Sequence, residues 1–229
     1  MKKISKMGEL AWLIGTALCA LGVAFCTKAN FGLSMVAAPP YILHVALSKF
    51  SPFFTHGTVE YLWQALIVLL ICIVVKKVKL RFLFSFLSAV IAGVLIDFWR
   101  WVLGGGGEYG ELWQRILAFV VGECLIALAV AFLFRTYFPM QAVDLVVVEI
   151  SAKYKLEINK VKLFNDLISL SLSVILTLIL TKSFIGVGIG TIIITFVNSP
   201  LIKLFGKLID KVFDFSPAFP KLKDFLSRI

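Results

Sequence analysis

The chain has 229 residues, of which 60% are apolar and 16% charged, against roughly 45–50% and 25% in an average soluble domain. A soluble domain of this size has too small an interior to bury so much Leu, Ile, Val and Phe. The net charge of +10 comes from short basic clusters between apolar runs, which argues against a nucleic-acid-binding face. The composition therefore indicates an integral membrane protein, with the lipid bilayer as its first partner.

Six apolar stretches are long enough to cross a bilayer as helices, since about 20 residues at 1.5 Å each cover roughly 30 Å. The predicted spans are about 9–27, 57–75, 82–103, 113–134, 163–181 and 184–205. The first span follows three lysines but is longer than the apolar core of a signal peptide, so we interpret it as a transmembrane helix. Two long connections remain, 28–56 and 135–162.

The basic residues predict the orientation of these spans. Of the 23 Lys and Arg residues, 18 fall in the N-terminal segment, the 76–81 turn, the 135–162 connection and the segment that begins with Lys203 at the end of the sixth span. Because positive residues concentrate on the cytoplasmic side, we expect both termini to be cytoplasmic. The tail, residues 207–229, alternates Phe, Leu and Ile with lysines at helical spacing. This pattern predicts an amphipathic segment on anionic lipid headgroups; the alternative is a docking site for another protein.

The sequence contains no pattern that indicates a metal, a cofactor or a catalytic centre. The four cysteines, Cys19, Cys26, Cys72 and Cys124, lie scattered in apolar segments without a CxxC or His/Cys ligand spacing, so neither zinc nor disulfides are predicted. No HExxH, phosphate-binding loop or paired-acid arrangement is present. We therefore expect no cofactor and no metal, and we predict that the protein is not an enzyme.

An internal repeat is predicted from segments that match at a constant offset of 105 to 107 residues. Residues 21–25 match 128–132, Glu60 matches Asp166, and residues 94–99 match 200–205. A unit of three spans crosses the membrane an odd number of times, so the second copy must be inverted. The predicted fold is thus an all-α membrane protein of two inverted three-span repeats, residues 1–106 and 107–206, followed by the tail.

Each long connection is predicted to carry a re-entrant or half-length helix. Residues 31–44 are too apolar for a free loop, yet Gly32 and the Pro39-Pro40 pair interrupt them too much for an intact span. In the second connection Pro139 suits the first turn of a short helix. The N-terminal ends would lie near Ser34 and Asp144. An interfacial helix lying flat on the membrane is the alternative for both segments.

Glu123 is the most conspicuous polar residue, because it lies near the middle of the fourth span. A carboxyl group at that depth is costly and is usually functional, so we expect it to couple protons or cations or to bind a substrate amine. A neutral acid hydrogen-bonded between helices is the alternative. Asp97 is a further candidate, although its i, i+3 spacing to Arg100 also permits a structural ion pair. Tyr41, in the first connection, is placed near the site.

Three alternate glycines, Gly186, Gly188 and Gly190, followed by Thr191, open the sixth span. No GK[ST] follows, so this is not a nucleotide-binding loop. The glycines permit close backbone packing or, alternatively, a broken helix whose free backbone groups line a substrate cavity. Gly188, Gly190 and Thr191 are therefore included among the candidate binding residues.

Several segments resemble the YitT/YczE-like family of bacterial membrane proteins. The resemblance rests on residues 21–34, Pro39-Pro40-Tyr41, Gly93 to Asp97, Asn165-Asp166 and residues 187–202. The sequence departs from the family pattern at Met35, where Pro is usual, and at Ser199, where Gly is common. The resemblance implies a multi-span bacterial inner-membrane protein of a family generally suspected to consist of transporters. It brings neither an assigned substrate nor catalytic residues.

The sequence thus predicts a transporter that moves a small polar or charged metabolite by alternating access, with Glu123 as the coupling residue. One alternative is a substrate-binding subunit that needs an energising partner; another is a non-transporting membrane scaffold or chaperone. A homo-oligomer is left open. The substrate, the coupling ion and the direction of transport do not follow from the sequence.

Overall fold

The computed structural model describes residues 6–105, 107–138, 141–183 and 185–228. Throughout these ranges the regular secondary structure is helical, and no β-strand occurs in them. The helices are α1 (Gly8–Ala29), α2 (Ala38–Leu47), α3 (His56–Val75), α4 (Leu80–Val102), α5 (Leu112–Leu133), α6 (Ala142–Tyr154), α7 (Ile158–Leu176, followed by a π-helical turn, Thr177–Thr181), α8 (Ile189–Val212) and α9 (Pro220–Arg228). The all-α prediction is confirmed.

Six of the helices in the described ranges are long and apolar enough to cross a membrane: α1, α3, α4, α5, α7 with its π-helical turn, and α8. Five of them begin and end within a few residues of the predicted spans, because long apolar runs define such helices clearly. The prediction that Pro139 opens a short helix falls outside the described residues; α6 begins at Ala142. Six long apolar helices are the architecture of a multi-pass membrane protein.

The sixth span lies further along the chain than the predicted 184–205. Gly186 has a φ of +78°, a left-handed conformation that glycine adopts without strain, and Gly188 forms the extended N-cap of α8. The helix then continues past Pro200 and ends only at Val212. Residues 207–212, which begin the predicted tail, thus continue α8.

The centre of the bundle is the antiparallel pair α1 and α5, which pack along each other more extensively than any other helices. Helix α4 packs against α1, and α8 packs against α5. The short helices lie between the others, with α2 against α3 and α7, and α6 against α3 and α7. Helices α3 and α4 also pack together, whereas the described residues of α7 and α8 make no comparable contact.

The first described residues and the segment after α8 lie at the same end of the bundle, which is called the end of the termini below. The amides of Met7 and Gly8 donate to the carbonyl oxygens of Asp214 and Ser216, at 3.1 and 3.2 Å. The Glu9 carboxylate accepts hydrogen bonds from the Ala218 amide (2.8 Å), the Phe219 amide (2.8 Å) and the Tyr137 hydroxyl (2.5 Å). Hydrogen bonds therefore hold the segment after α8 against the first turn of α1.

Arg115 closes α1 at the opposite end of the bundle. Its guanidinium donates to the carbonyl oxygens of Ala29 (2.8 Å) and Asn30 (3.1 Å), and it lies 5.0 Å from the Phe31 ring centroid. The last carbonyl groups of a helix have no partner within the helix, so this side chain completes the hydrogen bonding of α1 from the neighbouring α5.

Replacing Arg115 with Ala is expected to lower the free energy of unfolding by about 1.5 kcal/mol. A hydrogen bond to a charged donor contributes roughly 1.5–3 kcal/mol, and partial exposure of the side chain (25%) lets water replace part of it. Unfolding in urea, followed by circular dichroism in detergent, measures the change. Lys203→Ala, an exposed position of α8, is the control and is expected to change stability by less than about 0.5 kcal/mol.

Candidate functional site

The residues predicted from sequence lie in four places within the bundle. Glu123 lies where α1 and α5 cross, and Asp144 lies in the first turn of α6. Ser34, Gly188, Gly190 and Thr191 lie where the segment after α1 meets the start of α8. Tyr41 and Asp97 lie near the start of α3, at the end of the bundle away from the termini. These places differ in chemistry, and the surroundings of Asp144 form the strongest candidate site.

A cavity of about 80 Å³ beside Asp144 lies among α1, α4, α5 and the segment that enters α6. One water needs roughly 10–15 Å³ of such space, so the cavity can hold several waters or a small solute. Its polar lining is formed by Thr16, Cys19, Ser88, Thr136, Gln141 and Asp144. Burial raises the pKa of Asp144, while the charge of Lys162 lowers it.

A buried chain of hydrogen bonds connects this lining to α3. The Gln64 side-chain amide donates to Oε1 of Glu60 (3.1 Å) and to Oε1 of Gln141 (3.2 Å). Gln64 is 1% exposed, and its own Oε1 has no hydrogen-bond partner among the described residues. An unpartnered buried amide oxygen is costly, so this chain leaves an acceptor ready for a donor or a cation.

Carboxyl groups from three helices lie within electrostatic range of Cys19 of α1. Those of Glu60, Glu123 and Asp144 each interact electrostatically with the Cys19 thiol. Glu123 is 9% exposed, and the Cys26 thiol lies 3.4 Å from its Oε1. The structure therefore brings the two predicted acids, Glu123 and Asp144, near one position of α1, together with Glu60. Among the described residues no three His, Cys, Asp or Glu side chains are arranged to hold a metal ion, so the chemistry open to each of these acids is to hold a proton or to accept a hydrogen bond.

The alternate glycines bring the start of α8 into backbone contact with the segment after α1. The Gly190 amide donates to the Phe31 carbonyl (2.8 Å), and the Leu33 amide donates to the Gly186 carbonyl (2.9 Å). A Cβ atom on Gly188 would lie 2.5 Å from the Phe31 carbonyl oxygen. Glycine at this position thus permits the close approach of the two segments.

Ser34 and Thr191 make local hydrogen bonds at the same junction. The Ser34 hydroxyl accepts from the Ala37 amide at 3.4 Å, one residue before α2. The Thr191 hydroxyl accepts from the Gly188 amide at 3.2 Å and so caps α8. Both side chains hold the ends of short backbone segments in place.

Asp97 is bound to the start of α3. Its carboxylate accepts from the Gly57 amide (2.8 Å) and the Thr55 hydroxyl (2.5 Å). In the described structure the ion pair with Arg100 that the i, i+3 spacing allows does not form. Its carboxylate instead compensates the unsatisfied amides at a helix N-terminus.

Gln141, Ser88 and His56 contribute to these sites but were not predicted from the sequence. Gln141 precedes α6 and lines the cavity, Ser88 reaches it from α4, and His56 begins α3. Gln141 and Ser88 carry no charge, and His56 falls one residue before a predicted span. Gln141 lies about one helical turn before Asp144 in the sequence. This spacing between a polar side chain and an acid is the signal by which it could have been found.

From its fold and its buried polar groups, this protein is a multi-pass helical membrane protein with polar residues in its interior. The chain belongs to the family described as "Family of unknown function (DUF6198)", which matches residues 7–207. It is also similar to a Bacillus subtilis (strain 168) protein named "Uncharacterized protein YyaS", with 28% identity over 206 residues, which cover 87% of this chain and 92% of that one. No solved structure matches the chain.

Proposed function

We propose that this protein carries a small polar or charged solute across a bacterial inner membrane by alternating access. The observation that carries the proposal is the buried polar path from Glu60 through Gln64 and Gln141 to the cavity at Asp144. Ionisable groups inside a membrane bundle are expensive and mark substrate or ion pathways. A purely structural bundle needs neither an unpartnered amide oxygen nor a polar cavity among its spans.

The packing of the helices supports the inverted repeat within this proposal. If α1, α2, α3 and α4 correspond in order to α5, α6, α7 and α8, then most contacts in one half have a counterpart in the other. The α1–α4 contact corresponds to α5–α8, the α2–α3 contact to α6–α7, and the α3–α6 contact to α7–α2. The central pair α1 and α5 maps onto itself. Inverted repeats with a site between the halves are common among secondary transporters.

The two halves differ most at the contact between their last two spans, which supports a mechanism with two states. Helix α3 packs against α4, whereas α7 and α8 make no comparable contact in the described structure. In alternating access the halves exchange conformations around a fixed site. We therefore infer that the opposite state closes α7 onto α8 and separates α3 from α4.

The lengths of α2 and α6 support a half-length or re-entrant assignment. With 10 and 13 residues, they extend about 15 and 20 Å at 1.5 Å per residue, too little for a hydrocarbon core of about 30 Å. Each packs against spans of both halves. The resemblance to the YitT/YczE-like family belongs to the same proposal.

The orientation and the lipid contact of the C-terminal segment follow from its charges. The end of the bundle that carries both termini is the cytoplasmic one in this proposal, because the basic clusters lie there. Helix α9 exposes Lys221, Lys223 and Phe225, while Leu226 is buried. We infer that the exposed face of α9 contacts anionic lipid headgroups.

Asp144→Asn is expected to abolish stabilisation by a bound solute. The test is a thermal-shift screen of the full-length protein in detergent against monovalent cations, amino acids and organic acids. A solute at 100 times its dissociation constant stabilises a protein by about 2.7 kcal/mol, and this gain should disappear in Asp144→Asn and diminish in Glu123→Gln. The exposed acid Glu157 provides the control, because Glu157→Gln should bind as wild type does.

Uptake of the identified solute into proteoliposomes then tests transport itself. We expect accumulation with wild type and Glu157→Gln, and uptake at the protein-free rate with Asp144→Asn. A solute that binds equally well to wild type and Asp144→Asn would contradict the assignment of the cavity. A bound solute that never crosses the bilayer would refute the carrier function.

A further inference from the structure

Three aromatic rings, of which the two imidazoles stack and the phenol is tilted, form a cluster at the end of the bundle away from the termini. The ring centroids of His44 and His56 lie 5.6 Å apart with an interplanar angle of 17°. Tyr41 lies 5.2 Å from His56 and 6.2 Å from His44. The cluster joins α2 to the first residue of α3, and it is separate from the cavity at Asp144.

His56 is buried with neither ring nitrogen satisfied. The residue is 1% exposed, and both Nδ1 and Nε2 lack a hydrogen-bond partner in the described part of the chain. His44, by contrast, bonds through Nδ1 to the Phe54 carbonyl oxygen at 2.8 Å. Leaving a buried polar group without a partner is destabilising, so simple packing would favour a phenyl ring at position 56.

Arg100 of α4 adds a positive charge to the cluster. Its guanidinium interacts electrostatically with Tyr41, His44 and His56, and it forms no hydrogen bond or ion pair with any described residue. The nearest acid, Asp97, has both carboxylate oxygens engaged by Thr55 and Gly57. The guanidinium, which is partly exposed, therefore has no protein partner among the described residues and can donate to a bound group.

We propose that Arg100, His56 and Tyr41 form a binding site for a small oxyanion, a carboxylate or a phosphate. The guanidinium fork matches such groups in two-point contacts. A neutral His56 supplies one N–H donor, and the Tyr41 hydroxyl supplies another. Two imidazoles and a phenol beside a guanidinium do not suit a cation, because the nearby positive charge repels it. The site goes beyond the proposed transport function and does not depend on it.

The binding test uses full-length protein in detergent with sodium acetate or sodium phosphate, each compared with sodium chloride at equal ionic strength. At about ten times the dissociation constant, one of the two oxyanions is expected to raise the melting temperature by about 4 °C. The acetate and phosphate arms distinguish a carboxylate ligand from a phosphate ligand.

Substitutions in the cluster test whether the rise in melting temperature comes from an oxyanion bound at this site. Arg100→Gln and His56→Phe are expected to reduce the shift to below about 1 °C, and Arg100→Lys, which keeps the charge but loses the fork, should retain part of it. Lys49→Gln removes an exposed charge at the same end of the bundle and should keep the full shift. An equal shift in Arg100→Gln, or no shift by either oxyanion in wild type, would overturn the proposal.

Discussion

Gly57→Ala is expected to reduce the free energy of unfolding by about 3 kcal/mol, at the upper end of the cost of overpacking a core. Helices α3 and α4 approach so closely that a Cβ atom on Gly57 would overlap the carbonyl oxygen of Gly93 and lie 2.7 Å from Oδ2 of Asp97. The obstacle on α4 is main chain, which cannot rotate away as a side chain can. The helices must therefore separate, and the contacts along them weaken.

Gly107→Ala is the matched control for this substitution. It adds the same methyl group at a position where no atom lies within 4 Å of the new Cβ. Its stability should stay within about 0.5 kcal/mol of wild type. Urea unfolding of both variants in the same detergent gives the comparison. Equal stabilities for the two variants would mean that α3 and α4 do not pack as described.

Lys79→Ala is expected to destabilise the protein by about 2 kcal/mol. The Lys79 ammonium lies 2.6 Å from Oε2 of Glu149, whose side chain is only 7% exposed. Removing one member of a buried ion pair costs roughly 3–5 kcal/mol, because the remaining charge is left buried without a partner. Since the Lys79 side chain is 38% exposed, solvent screening reduces that figure.

A double-mutant cycle shows whether Lys79→Ala destabilises the protein by leaving Glu149 without a charge partner or by removing the packing of the Lys79 side chain. In the Lys79→Ala background, Glu149→Gln neutralises the stranded carboxylate and should restore more than half of the lost stability. Denaturation in urea of the four proteins of the cycle measures the coupling. If the stability lost in the double variant equals the sum of the losses in Lys79→Ala and Glu149→Gln, the ion pair contributes nothing to the contact between α4 and α6.

The spans were predictable from sequence because the signal is the length of each apolar run. At the sixth span the helix begins later than that signal indicates, because Gly186 is left-handed and Gly188 is extended, and it runs through Pro200, as the predicted span did, to end at Val212. Proline removes one hydrogen bond from a helix interior, but packing of α8 along α5 holds the helix together. Here the tertiary contacts outweighed the local preference.

The candidate site was predictable only in part. Glu123 was a candidate because an acid within an apolar span is costly, and Asp144 because it lies near the start of a predicted short helix; both interact electrostatically with Cys19 in the structure. The separation of Ser34 and Tyr41 into different surroundings was not predictable. Which residues meet depends on the rotation of each helix about its axis, and one sequence with low amphipathicity does not specify that rotation. The partners of Gln64 depend on the same information.

The contact between Glu9 and residues 218 and 219 has a consequence for biosynthesis. The partners are separated by more than 200 residues, so the first turn of α1 emerges from the ribosome long before the amides that satisfy its carboxylate. This end of the bundle is completed only after residues 218 and 219 have been synthesised. A fusion that holds the C-terminus away from Glu9 would keep every span inserted and yet leave the newly made protein with this joint unformed.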